Sequence, residues 1–135
     1  MPMKAHEIVS IFYKKSGKYY PQNLILKDKQ NKNTGTENVY GKVKKDFIQD
    51  VTYTNYPNSV LEYKNPTNGV HPTQKPTELC EYLIKTYTLE NEIVLDSTAG
   101  SCTTAVASKN TNRKWICIEQ DEKYCEVSKD RLKSE

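Results

Sequence analysis

The chain has 135 residues, a net charge of +3, 36% hydrophobic residues and a mean hydropathy of −0.82. That length allows one modest core, and no apolar run approaches the roughly eighteen residues that span a bilayer. With no signal-peptide core at the N-terminus, a cytoplasmic protein without membrane partners is expected. Four cysteines, at 80, 102, 117 and 125, include no Cys-x2-Cys pair, so reduced thiols and no metal site are expected. Charge is uneven: residues 1–77 carry twelve lysines against six acids, and residues 78–135 carry eight Lys or Arg against eleven acids. A basic half joined to an acidic half suits a protein that holds a polyanion with one part, although a solvated lysine-rich surface has the same composition.

Residues 6–13, His-Glu-Ile-Val-Ser-Ile-Phe-Tyr, have the β-branched and aromatic content of a largely buried strand, and Lys14 to Lys18 turn the chain, so 1–18 reads as one core strand. Residues 19–70 sustain no helical period and read as an irregular Tyr/Lys-rich insert, with short strands predicted at 23–26 and 51–56 and a polar loop at 28–38. Within or beside it Lys18, Tyr19, Tyr20, Lys42, Lys44, Lys45, Tyr53 and Tyr56 interleave cations with aromatic rings. Such residues suit phosphate contacts combined with stacking on exposed bases; packing of a small insert by its own tyrosines is the alternative.

The turn cluster at 65–69 leads into His71-Pro72-Thr73-Gln74-Lys75-Pro76, extended because each residue before a proline avoids the helical region. Pro76 suits the first turn of a helix over 77–88 whose Leu79, Tyr82, Leu83, Thr86 and Tyr87 recur at helical spacing and should face a sheet. Ile93 to Leu95 then form a strand ending in Asp96, and the small residues Ala99-Gly100-Ser101 let the backbone pass close to a ligand. A short helix over 103–110 carries Ala105, Val106 and Ala107. A second strand, Lys114 to Ile118, ends in Glu119, 19 residues after Gly100, where a carboxylate can accept bonds from ribose hydroxyls. Asp121 caps a last helix with Tyr124, Val127, Ser128 and Arg131 or Leu132 on one side.

Residues 92–132 are therefore a β-α-β-α unit of a doubly wound α/β sheet, and the 71–135 region is the expected cofactor-binding part. The loop is not the dinucleotide fingerprint, since Cys102 stands where the second glycine would be and no third glycine follows. A plain strand-turn-helix without ligand fits the same loop residues.

Taken in order, His71-Pro72-Thr73-Gln74-Lys75-Pro76, then Asp96-Ser97-Thr98-Ala99-Gly100-Ser101-Cys102-Thr103-Thr104, then Cys117-Ile118-Glu119 followed by Asp121, resemble the C-terminal half of the amino-group DNA methyltransferases. These act on adenine N6 or cytosine N4 and use S-adenosylmethionine; the resemblance covers residues 71–132, with a fainter echo at 6–15. It implies a partial Rossmann-like methyltransferase sheet and a cofactor held by Thr73, Lys75, Pro76, Asp96, Ser97, Ala99, Gly100, Ser101, Thr103, Glu119 and Asp121. It further implies that Lys75 meets the methionine carboxylate and that the 19–70 insert recognises double-stranded DNA. A bacterial or phage origin and a restriction-modification setting follow from the same likeness.

The family activates its poorly nucleophilic amine with an (Asp/Asn/Ser)-Pro-Pro-(Tyr/Phe/Trp) loop that grips a flipped base. This chain has no Pro-Pro, its six prolines all being isolated. No catalytic residue is expected within it, the catalytic loop is expected upstream of residue 1, and a separate polypeptide carrying the catalytic half is an expected partner. A side chain at 102 is expected to intrude on the cofactor. A non-catalytic DNA-binding or regulatory remnant, and an unrelated nucleotide-binding α/β protein, are the competing readings.

Overall fold

The computed structural model describes residues 6–26, 53–67 and 69–134, and these fall into two compact units. The smaller, 21–26 with 53–64, holds β1 (Ile25–Leu26) and β2 (Tyr53–Thr54), antiparallel with Ile25 opposite Thr54 and Leu26 opposite Tyr53. The side-chain amide of Asn55 donates to the Asn23 carbonyl at 2.8 Å, and both asparagines take the left-handed conformation their type tolerates. Each strand is shorter than its predicted span because Ile25, Leu26 and Tyr53 remain exposed, which leaves little burial to extend a ladder. Val51 and Thr52 lie outside the described residues.

The larger unit contains α1 (Thr77–Tyr87), β3 (Ile93–Asp96), α2 (Thr103–Asn110), β4 (Lys114–Cys117) and α3 (Glu122–Ser134). β3 and β4 are parallel, with Ile93 beside Lys114 and Asp96 beside Cys117, and α2 makes the crossover that parallel strands require. The amide of Ile118 donates to the Asp96 carbonyl at 2.9 Å, which carries Glu119 to the level of the loop after β3.

α2 is the centre of the core. Ala105, Val106, Ala107 and Ser108 are wholly buried, and their small volumes let α1 and the sheet both approach this helix closely. The buried hydroxyls of Ser108 and Thr111 donate one turn back, to the carbonyls of Thr104 and Ala107, both at 2.7 Å. α1 thus packs against α2 rather than against the sheet its periodicity predicts it to face, and its buried residues are Ile84 and Thr86. Pro76 stands at its N-cap, directly before the first helical residue. Arg113 ties the far end of α1 to the exit of α2, donating to the Thr88 carbonyl at 2.8 Å and its hydroxyl at 3.2 Å.

Residues 6–13 do not form the expected strand. Ile8 and Phe12 are 83% and 90% exposed, and among the described residues no strand pairs with this segment. Apolar composition favours a strand only where a neighbour satisfies its backbone donors and acceptors. The segment is instead anchored at its end. The Tyr20 amide donates to the Thr86 carbonyl at 2.8 Å, the Tyr19 ring lies 6.0 Å from that of Tyr87, and Lys18 pairs with Glu92 at 4.0 Å. No helix among the described residues is long and apolar enough to cross a membrane.

Candidate cofactor-binding site

The loop after β3 is held from three directions, by the end of β3 itself and by residues from β4 and α3. The Asp96 carboxylate accepts the Thr98 amide at 3.1 Å on one oxygen and the Thr104 hydroxyl at 2.6 Å on the other, joining the strand end to the first turn of α2. From β4, Glu119 accepts the Gly100 amide at 2.7 Å, and its second oxygen accepts the amides of Gln120 and Asp121 at 2.9 and 3.0 Å. From α3, the Ser128 hydroxyl donates to the Gly100 carbonyl at 3.1 Å, and Arg131 donates to the Ser101 carbonyl at 2.8 Å and to the hydroxyls of Ser101 and Thr103 at 3.2 Å each.

The extended segment before α1 closes over the same loop. Gly100 has φ +53°, and a Cβ there would stand 3.4 Å from the His71 ring, so the ring covers the open side of the glycine. His71 also packs on Tyr124 with ring centroids 4.3 Å apart, while its Nδ1 accepts the Thr73 amide at 3.2 Å. The Gln74 carbonyl oxygen accepts the Val70 amide at 3.0 Å and the Ser101 hydroxyl at 3.4 Å.

This arrangement revises several expectations. Ala99, Ser101 and Thr103 turn their side chains into the protein, so what these three present to a crevice is main chain. The thiol of Cys102 also points inward, 6% exposed, among Ala99, Ala105, Cys117 and Leu132. It therefore adds no side chain to the exposed surface of the loop; its cost is a left-handed backbone, φ 54°, in a residue with a Cβ. Glu119 holds three backbone amides. Lys75 is paired with the Glu7 carboxylate, at 2.7 and 2.9 Å. Thr73 closes the His71 turn, Pro76 is buried, Ser97 is exposed, and Asp121 caps α3 by accepting the Lys123 amide at 2.9 Å.

Of the residues proposed for DNA, Lys18, Tyr19 and Tyr20 fasten the N-terminal segment to the larger unit, and Tyr53 and Tyr56 are exposed in the smaller one. Lys42, Lys44 and Lys45 lie outside the described residues. The sequence reading did not single out His71, Gln74, Ser128 or Arg131 as holding the loop. The signal available was the Tyr124, Ser128, Arg131 spacing, which puts three polar side chains on one side of α3.

Charge follows the geometry. Hydrogen bonds from the Asp121 and Gly100 amides, with the Gln120 amide and His71 adding to them, hold the Glu119 carboxyl below its ordinary value of 4.5 against the opposing effect of burial. Burial, the neighbouring Cys102 thiol and Asp96 push Cys117 up to about 12. The Cys80 thiol is raised by burial and by Asp96, with Lys75 opposing, which places those two charges around one thiol. Among the described residues no group of three His, Cys, Asp or Glu gathers to hold a metal.

Because the native Glu119 value is lowered, its stabilising contribution is complete above its ordinary value, shrinks as pH falls below 4.5 and is gone below the native value. Glu119→Gln is expected to be less stable than wild type at pH 7, with the gap closing below about pH 4 in paired thermal melts.

A parallel strand-loop-helix-strand with a carboxylate at each strand end and a tightly covered glycine between them is the kind of arrangement beyond whose strand ends open α/β sheets hold ligands. The DNA methylase family model matches residues 2–130, and the chain belongs to that family. Over 64 residues it is 44% identical to the type II methyltransferase M2.LlaDCHI of Lactococcus lactis subsp. cremoris, covering 47% of this chain and 24% of the relative. Over 77 residues it is 42% identical to M.HpaI of Haemophilus parainfluenzae, covering 57% and 24%. The cytosine-N4-specific PvuII DNA methyltransferase superposes with a TM-score of 0.54 at 29% identity, over 57% of this chain and 32% of that one. The chain thus spans about a quarter of the length of the curated relatives it matches.

Proposed function

We propose that this chain is the S-adenosylmethionine-holding part of a DNA methyltransferase that modifies the exocyclic amino group of adenine or cytosine. The observation that carries this reading is the meeting of three separated segments on one loop, with His71 over Gly100, Glu119 on the Gly100 amide and Asp96 on Thr98 and Thr104. These are the segments in which the chain resembles the family, and the relatives named above are type II methyltransferases.

The residues suit such a ligand. Carbonyls of Gly100 and Ser101 are drawn toward α3, so the main chain rather than bulky side chains borders the crevice. When bound, S-adenosylmethionine supplies an electrophilic sulfonium methyl group. The chain's own residues bind and orient the molecule: Asp96 and Glu119 keep the loop in shape, and the segment from Thr73 to Pro76 borders the methionine end. Recognition of double-stranded DNA belongs in this reading to the 19–70 region.

The amine-activating loop comes from a complementary catalytic half. The sheet supports this: Ile93, Leu95, Ile116 and Ile118 share one face and are 50–63% exposed, an apolar surface that further methyltransferase structure would cover. The test is transfer of labelled methyl from S-adenosylmethionine to unmethylated DNA by the purified chain, alone and mixed with a polypeptide containing the catalytic half of a relative. Cofactor binding without transfer by the chain alone, and transfer by the mixture, is the expected result. Failure to bind the cofactor overturns the reading.

A further inference from the structure

The chain from Glu7 to Tyr20 spans from the entrance of α1 to its last turn and is tied at both ends. Lys75, just before the helix, donates to both oxygens of Glu7 at 2.9 and 2.7 Å, and the Tyr20 amide donates to the Thr86 carbonyl. Between these ties the Tyr13 ring lies directly against Gly17, where a Cβ would have no room. Exposure alternates along the segment. Ile8 and Phe12 are almost fully exposed and Ser10 is exposed with them, whereas Val9, Ile11 and Tyr13 are about half covered. This is the period of an extended chain with one face turned to solvent. Among the described residues, the main chain from Ile8 to Tyr13 makes no hydrogen bond to another backbone group.

An apolar edge with free donors and acceptors, fixed at both ends, is a template for another strand and needs little ordering when one arrives. The charges of the segment select that strand. His6 and Glu7 stand at its start, and Lys14 and Lys15 at its end. A second copy laid antiparallel brings the acidic start of one beside the basic end of the other, whereas a parallel copy sets Glu7 on Glu7 and Lys14 on Lys14. The antiparallel pairing closes about a two-fold axis, which matches equal faces of the two copies. With the axis at Ser10, Ile8 stands opposite Phe12 twice on the exposed face, an aromatic ring against a β-branched chain, and Glu7 lies diagonal to Lys15. With the axis at Ile11, Ile8 would face Lys14 and Phe12 would face Ser10, and the apolar pairs would be lost.

We propose that residues 8–13 are a dimerisation edge that pairs antiparallel with the same segment of a second copy of this chain, about a two-fold axis at Ser10. The inference goes beyond the cofactor reading and does not depend on it.

Sedimentation equilibrium of the full 135-residue chain, combined with cross-linking, tests it. A ladder this short buries little surface, so a reversible dimer is expected, its average mass rising from 15.6 kDa towards twice that value by about 100 μM. Ile8→Lys and Phe12→Lys are each expected to weaken association by at least about tenfold. Both side chains are exposed, so the variants should keep the wild-type thermal melt, which is recorded in parallel. Ser10→Cys, opposite itself at the axis, is expected to form a disulfide-linked dimer under a mild thiol oxidant, and Ser16→Cys in the turn is not. Wild type supplies the background of the four native cysteines. A chain that stays monomeric at that concentration overturns the proposal, as does equal cross-linking of Ser10→Cys and Ser16→Cys. A dimer that survives Phe12→Lys but is lost in Leu95→Lys also overturns it and places the interface on the exposed face of β3 and β4. Exchange protection of the 8–13 amides only after a relative's catalytic half is added overturns it too, giving the segment to that half. A chain that dimerises as described but binds no S-adenosylmethionine removes the cofactor reading and supports this inference.

Discussion

Asp96→Ala is expected to weaken S-adenosylmethionine binding by at least about tenfold and to lower unfolding stability by about 2 kcal/mol. The carboxylate is half-buried, and each oxygen takes a different partner, the Thr98 amide at 3.1 Å and the Thr104 hydroxyl at 2.6 Å. Removing it leaves both donors without their acceptor and frees the loop from the start of α2, at about 1 kcal/mol for each bond. The affinity loss follows because a ligand then has to order the loop on binding. Asp96→Asn keeps an acceptor for the Thr98 amide and is expected to fall between the two. Titration calorimetry and denaturant unfolding on the same samples check both effects. A variant that loses stability but keeps wild-type affinity would place the ligand away from this loop.

Arg131→Met is the second large effect, expected to cost about 2–3 kcal/mol of stability and to reduce cofactor affinity in parallel. Methionine keeps much of the apolar stem and removes the guanidinium that reaches the Ser101 carbonyl and the hydroxyls of Ser101 and Thr103. Those groups are buried, with Ser101 only 3% exposed, so water cannot replace the lost donor without the loop opening. Lysine offers an ammonium on a different stem in place of the Nη1 that makes all three bonds and should restore only part of the loss. Ser128→Ala removes one bond to the Gly100 carbonyl and is expected to cost about 1 kcal/mol. Hydrogen exchange supplies the local readout: the Gly100 and Cys102 amides should exchange faster in Arg131→Met, while amides within β3 should change less.

Elements with a strong local signal were legible from residues alone. The helix predicted over 103–110 is α2 at Thr103–Asn110, and the helix capped by Asp121 begins at Glu122. Small residues, a capping carboxylate and Asn110 to Asn112 at the exit act within a few residues of themselves. The misses share a different cause. Residues 6–13 have strand composition, but a strand is a property of two segments, and no described neighbour pairs with this one. α1 forms over the expected span, yet of the predicted stripe only Thr86 is buried, and Ile84, outside that stripe, is buried with it, because α2 and not the sheet is the neighbour of this helix. Cys102 was expected to crowd the crevice because its position in the motif is that of a glycine, whereas the backbone there turns its thiol inward.

The candidate site divides the same way. Sequence by itself determined which segments carry the loop, its glycine, its two carboxylates and the extended approach to α1, because motif spacing along a strand-turn-helix is local and additive. Only the tertiary structure decided what each does: that Glu119 grips the Gly100 amide, that His71 covers Gly100, that Arg131 holds Ser101 from α3, and that Glu7 pairs with Lys75. These partners lie 19 to 68 residues apart. A carboxylate or guanidinium accepts many partners of equal chemistry, so its choice among them is made by the packing of α2 between its neighbours and not by any residue alone.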